Sequence, residues 1–146
     1  MASIKKTALV GYTPAQMFKL VDDIEEYPGF LPWCKSTVVH SRTEDEVKAT
    51  ITVTKSGIQH SFTTLNRLIH PKMIEVRLYE GPFRHLEGFW RFDSIMDGEQ
   101  EGCQVSFDLE FEFSNKFIGL TVGPVLQKIA ETFVDAFCQR AKEVYK

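Results

Sequence analysis

The side chains able to do chemistry are scattered along this chain. Its four histidines, His40, His60, His70 and His85, are dispersed, and so are its three cysteines, Cys34, Cys103 and Cys138. No pair stands at CxxC spacing and no Cys/His cluster exists, so neither a disulfide framework nor a zinc site is indicated. The cysteines read as buried, reduced thiols. His60 shares strand parity with Ile58 and Phe62 and is expected to point inward. A lone inward histidine ordinarily serves as a hydrogen-bonded core residue, and general-base work would need partners within reach. Asp108, Glu110 and Glu112 fall two apart, which sets them on one face of a strand as a solvated stripe rather than as an acid/base pair. There is no Ser/His/Asp pattern, no phosphate-cradling glycine loop and no metal-ligand spacing. Arg84-His85, after Gly81-Pro82-Phe83, is a loop pair that could hold a polar head group or simply be exposed. The inventory favours binding over catalysis.

Composition agrees with one globular domain over residues 1–146: 43% hydrophobic and 25% charged residues, with 12 phenylalanines as the deviation. That many rings make either a ring-rich core or a ring-lined pocket. A net charge of −3 argues against broad attraction to nucleic acid, DNA included, or to anionic lipid. Lysines 5, 6, 35, 48 and 55 could gather on the outer face of adjacent strands, as on any solvated sheet. No signal peptide is visible and no apolar run approaches the ~20 residues that span a bilayer, so a soluble cytoplasmic protein is expected.

The elements follow from periodicity. Ser3 to Tyr12 reads as a strand. Thr13-Pro14-Ala15-Gln16 opens a helix, with Thr13 as cap, Pro14 in the first turn and Gln16 closing a capping box. Met17, Phe18, Val21 and Ile24 give that helix one apolar face, and the acidic run Asp22-Asp23 and Glu25-Glu26 should end it. Six strands follow from about Lys35, among them Val47-Ala49-Ile51-Val53, a run from Ile58 to Ile69, Leu86-Gly88-Trp90-Phe92 and Val105-Phe107-Leu109-Phe111-Phe113 at inward parity. Ser56-Gly57, His70-Pro71, Gly81-Pro82 and Asp97-Gly98 supply the turns. From about Asn115 to Tyr145 the period returns to helical, with Leu126, Ile129, Phe133, Phe137, Ala141 and Val144 as one stripe and Arg140, Lys142 and Lys146 at its C-terminal end. Gly123-Pro124 should kink this helix or mark a second start.

Between the first helix and the strands lies Tyr27-Pro28-Gly29-Phe30-Leu31-Pro32-Trp33-Cys34. Proline fixes its own φ and biases the preceding residue away from helix, so a kinked connector carrying large apolar groups, with at most a short helical turn, is expected and not a regular helix. These groups need a surface to cover. A curved meander over one long helix, with so many rings on inward parity, predicts an apolar pocket of roughly 300–1,000 Å³; the alternative is that the rings fill the core. Gly88, mid-strand and inward, fits a bend or close approach.

This order of elements resembles the helix-grip arrangement of START-like domains. The Tyr27–Cys34 block, Gly81-Pro82-Phe83, Leu86-Glu87-Gly88-Phe89-Trp90-Arg91-Phe92, Phe111-Glu112-Phe113 and Asp135-Ala136-Phe137-Cys138-Gln139-Arg140-Ala141 are similar to the coenzyme Q-binding START-like family, also described as polyketide cyclase/lipid-transport proteins. The resemblance implies an α+β fold: a seven-stranded curved antiparallel sheet around a long C-terminal helix, with two short helices after strand one. It also implies one of two roles. Mitochondrial members bind ubiquinone and support respiration without catalysing a reaction. Bacterial members, the ribosome-association toxin A proteins, bind the large ribosomal subunit and block its union with the small one. No Arg-rich presequence is visible, so the chain looks bacterial.

The quinone reading is the one preferred here: non-catalytic binding of a polyisoprenoid quinone or related lipid, with no cofactor. It would act in the cytoplasm or peripherally at the inner membrane. The toxin role stands as the alternative, and nothing indicates an antitoxin partner. In the quinone reading Trp90 lines the tunnel with Phe62, Leu78 and Phe107. Phe30, Leu31 and Trp33 form the mouth, Phe133 and Phe137 the helix wall, and Tyr79, Arg84, His85 or Arg91 meets the head group. Trp90→Asp should then evict the ligand and leave a soluble protein.

Overall fold

A computed structural model describes residues 2–55 and 57–145; Ser56 of the expected Ser56-Gly57 turn and Lys146 lie outside them. β1 (Ala2–Val10) leads into α1 (Pro14–Asp22), a 3-10 turn (Ile24–Glu26) and the single-turn α2 (Tyr27–Phe30). Six strands follow: β2 (Cys34–Arg42), β3 (Glu46–Lys55), β4 (Ile58–Ile69), β5 (Met73–Glu80), β6 (Phe83–Asp97) and β7 (Gln100–Phe113). The chain closes with α3 (Lys116–Val144). The seven strands form one antiparallel sheet in the order β1-β7-β6-β5-β4-β3-β2. Each hairpin joins spatial neighbours except that β1 pairs with the last strand, which leaves β1 and β2 as opposite edges.

Local chemistry explains the boundaries. The Thr13 side chain accepts from the Gln16 N–H at 3.2 Å while the Thr13 N–H donates to Gln16 Oε1 at 2.8 Å, a complete capping box. α1 stops at Asp22, within the acidic run. Arg42 of β2 then clamps that end: its guanidinium donates to both carboxylate oxygens of Asp22 at 3.0 Å, to the Asp22 carbonyl at 2.9 Å and to Glu25 at 3.3 Å. The Tyr27–Trp33 block holds the short helical turn expected of it, the second of the two short helices after strand one. Tyr27 adopts helical angles (φ −52°, ψ −44°) although it precedes proline, and Tyr27–Phe30 closes one α-turn. Pro28 lies in the first turn, where its missing N–H has no intrahelical partner to lose. The cost to Tyr27 is offset by its buried ring and by its hydroxyl, which donates to the Val21 carbonyl.

α3 runs without interruption through Pro124, so no second start forms there. Val122, Leu126, Ile129, Ala130, Val134, Phe137 and Ala141 are buried, whereas Val144 is exposed and leaves the expected stripe. By length and composition α3 is apolar enough to cross a membrane, contrary to the expectation that no apolar run approaches that length. Its buried stripe instead grips the sheet. Its first two turns expose Phe117 and Leu120. The inward rows of the sheet alternate as the period-2 pattern requires: Val47 and Ala49 on β3, Leu86, Gly88, Trp90 and Phe92 on β6, and Val105, Phe107, Leu109 and Phe111 on β7 are all buried. Gly88 is a close approach, since a Cβ there would lie 3.2 Å from Leu109 Cδ1 and 3.4 Å from the Asp108 carbonyl oxygen.

Candidate ligand cavity

Between the sheet's inner face, α3 and the α1–α2 segment lies an apolar cavity of about 90 Å³. It is smaller than the sequence reading expected because the rings meet each other. Trp90 stacks on Phe107 with centroids 4.3 Å apart. Phe133 of α3 meets Trp33 at 5.2 Å, Trp90 at 5.5 Å and Phe107 at 5.7 Å, each edge-on. Edge-to-face contacts of this kind suit the ring quadrupoles and fill space densely. A further void of about 20 Å³ lies towards Pro82 and Val122 and shares Val53, Phe62 and Leu126 with the first. Phe62 and Leu126 are thus the partition between the two. His60 borders this smaller void, the inward position its parity implied.

The expected lining divides. Trp33, Phe62, Trp90, Phe107 and Phe133 are brought together around the cavity. Leu31 and Phe137, at 1% and 0% exposure, are core. Phe30 packs on Phe137 and under the Arg140 guanidinium, which lies 4.9 Å from its ring centre, so it covers the core and forms no mouth. Leu78 packs against the core from β5 and does not line the cavity.

None of the four head-group candidates reaches the cavity, and parity is the reason. On β6, Leu86, Trp90 and Phe92 face inward, so His85 and Arg91 face out. His85 lies 3.7 Å from Glu110, and Arg84, at the irregularity between Phe83 and His85, lies 3.9 Å from Glu112. Tyr79 is 56% exposed on the outer face, with the Lys48 ammonium 3.7 Å above its ring. The lysines do not gather either. Lys5 and Lys6 belong to β1 at one edge, while Lys35, Lys48 and Lys55 belong to β2 and β3 at the other.

The polar groups that do line the cavity come from β4. Its inward row reads Phe62, Thr64, Asn66, Leu68, and Thr64 and Asn66 are 3% and 8% exposed. Asn66 Oδ1 is the one fully buried side-chain nitrogen or oxygen without a hydrogen-bond partner among the described residues. An acceptor left in that state costs about 1–3 kcal/mol. The parity that places His60 and Phe62 inward also reaches Thr64 and Asn66, so the sequence carries the signal for this wall.

The thiols are passive. Burial pushes Cys34 up to about 11, and burial together with Asp93 and Glu101 pushes Cys103 up to about 12. Burial also holds the Tyr27 phenol far above its ordinary value. No cluster of three His, Cys, Asp or Glu side chains suited to a metal ion occurs among the described residues.

Residues 10–138 match the family described as polyketide cyclase / dehydrase and lipid transport. The chain belongs to this family. Within the polyketide cyclase and lipid-transport family, the chain is 43% identical over 145 residues to the ribosome association toxin RatA of Escherichia coli (strain K12), covering 99% of this chain and 90% of that protein. It is 26% identical to the mitochondrial coenzyme Q-binding protein COQ10 of Drosophila melanogaster, covering 96% of this chain and 55% of that one. A START superfamily protein from Mycobacterium smegmatis shares the fold with a TM-score of 0.78 at 20% identity, covering 97% of this chain and 98% of that structure. The sheet wrapped on α3 is therefore the START-like helix grip.

Proposed function

We propose that this chain is a non-catalytic ribosome-association factor of the bacterial cytoplasm. It binds the large ribosomal subunit and hinders its union with the small one. The observation that carries this reading is 43% identity to a ribosome association toxin along nearly the whole chain. The ring-rich interior points towards quinone carriage, but a 90 Å³ cavity falls far short of a polyisoprenoid quinone. Exposed Arg67, Arg77 and Arg91 project from the outer faces of the adjacent strands β4, β5 and β6, Arg77 paired with Glu75 and two residues from Tyr79 on the same face, and offer cations to RNA. Co-sedimentation with isolated large subunits tests the proposal. The protein should pellet at low salt and be released steeply as salt rises, and alanine at the three arginines should weaken pelleting. Protein that stays in the supernatant at low salt defeats it.

A second reading, carriage of an apolar ligand such as ubiquinone in support of respiration, is favoured by the coenzyme Q-binding relative and by the apolar, ring-lined walls of the cavity, which would have to widen to admit it. Organic extraction of protein purified from its native cell, followed by mass spectrometry, tests it. A stoichiometric isoprenoid quinone supports carriage, and an empty extract leaves the cavity as packing.

A further inference from the structure

Asn66 Oδ1 is buried without a partner on the wall of a cavity whose other lining is almost wholly apolar. Such a group loses its hydration on folding and gains nothing in return unless something else occupies the space. Thr64, two residues before it on the same strand face, brings a hydroxyl to the same wall. A single water beside Asn66 would meet its carboxamide and the Thr64 hydroxyl, two partners, at the low end of what buried waters make. A ligand oxygen joined to an apolar body would satisfy the carboxamide and cover the facing rings at once.

We propose that Asn66 and Thr64 form a polarity-reading site inside the cavity, which takes the oxygen-bearing end of a small ring, a phenol or cyclic ketone, with its apolar side against Trp33, Trp90, Phe107 and Phe133. The inference rests on the ligand-binding reading and adds to it which end of the ligand goes in and which residues read it. The site is distinct from the outward-facing Arg84, His85, Arg91 and Tyr79. An asparagine can donate or accept, so the site reads the presence of oxygen rather than its protonation. Filling the site with a ring needs more room than the 90 Å³ present, since a cavity of about 150 Å³ is what accepts benzene. Displacement of Phe62, half-buried between the two voids, would have to join them and vacate the space of its own ring as well.

The experiment is a matched titration of the full chain with p-cresol and with toluene, read by NMR shifts of cavity-lining residues, in wild type, Asn66→Leu and Thr64→Val. Wild type should bind p-cresol about fivefold or more tightly than toluene, the value of one net hydrogen bond. Asn66→Leu should abolish the preference while still binding toluene, and should be at least as thermostable as wild type because it removes an unpaired acceptor. Thr64→Val should reduce the preference in a second, independently folded variant. Equal affinity for both probes in wild type overturns the polarity-reading site and leaves the ligand-binding reading intact. Failure of both probes to bind wild type overturns both. A loss of stability in Asn66→Leu shows a structural asparagine satisfied by water and also overturns the proposal.

Discussion

Trp90 and Phe107 face each other directly across the β6–β7 ladder, with ring planes 24° from parallel, and Phe133 of α3 closes on both edge-on. This trio joins sheet to helix at the centre of the molecule. Trp90 is 2% exposed. An aspartate at that position would bury an uncompensated carboxylate, so Trp90→Asp should unfold the protein and not merely empty a tunnel as the sequence suggested. Trp90→Ala should cost about 3–5 kcal/mol, read as a lower denaturant midpoint, and Trp90→Phe distinctly less. A midpoint for Trp90→Ala close to wild type would show that the stack carries little of the core.

Arg42 is the tie between β2 and the end of α1. Its fork meets both oxygens of Asp22 and the carbonyl above them. Partial exposure limits the effect, so Arg42→Ala should lower stability by about 1 kcal/mol, and added salt should narrow the difference. Lysine cannot reproduce the fork, so Arg42→Lys should resemble the alanine variant in thermal melts. Full retention of stability by the lysine variant would mean that charge alone suffices.

The buried thiols give a pH dependence of known sign. In the unfolded chain cysteines lose their protons near pH 8.5, whereas in the fold Cys34 holds its proton to about 11 and Cys103 to about 12. Above about pH 8.5 the unfolded chain binds fewer protons than the native one, so stability is unaffected below that pH and falls as pH climbs towards 11. Thermal melts from pH 7 to pH 11 should show the fall, and Cys34→Ala or Cys103→Ala should flatten it. Parallel curves for wild type and variants would remove the thiols as the cause.

Gly102 lets β1 approach β7. A Cβ there would lie 2.7 Å from the Val10 carbonyl oxygen, a backbone atom that cannot swing away. Gly102→Ala should cost about 1–3 kcal/mol and speed amide exchange along β1. Gly29→Ala, with nothing within 4 Å of its would-be Cβ, is the control and should stay within about 0.5 kcal/mol of wild type. Unchanged exchange in β1 for Gly102→Ala would show that the edge strand yields freely.

The sheet was legible because each strand carries its own period. Val105, Phe107, Leu109 and Phe111 alternate so cleanly that their inward face needs no tertiary information. The strand ending at His70-Pro71 and the helix start at Thr13 were likewise readable, since a proline and a capping box act within a few residues. The turn at Tyr27 was legible only in outline, because the local bias against helix before proline is outweighed by the burial of its ring, a tertiary effect. Arg84 and His85 are not a loop pair: strand β6 extends to Phe83 and turns them outward, a length that Gly81-Pro82 hides from the pattern. The cavity's volume was not legible at all, since it depends on how Trp33, Trp90, Phe107 and Phe133 nest, and pattern alone fixes which face a ring lies on but not the gap left between rings.

The pairing of the first strand with the last governs the order in which this molecule can be assembled as it is made. β2 to β7 can zip hairpin by hairpin as they emerge, but Val10 needs Cys103 and Ala2 needs Phe111. At about 5–20 residues per second, β1 waits on the order of 5–20 s for its partner. Through that interval the nascent chain carries an unpaired strand and an undocked α1, and the grip closes only when the final helix arrives.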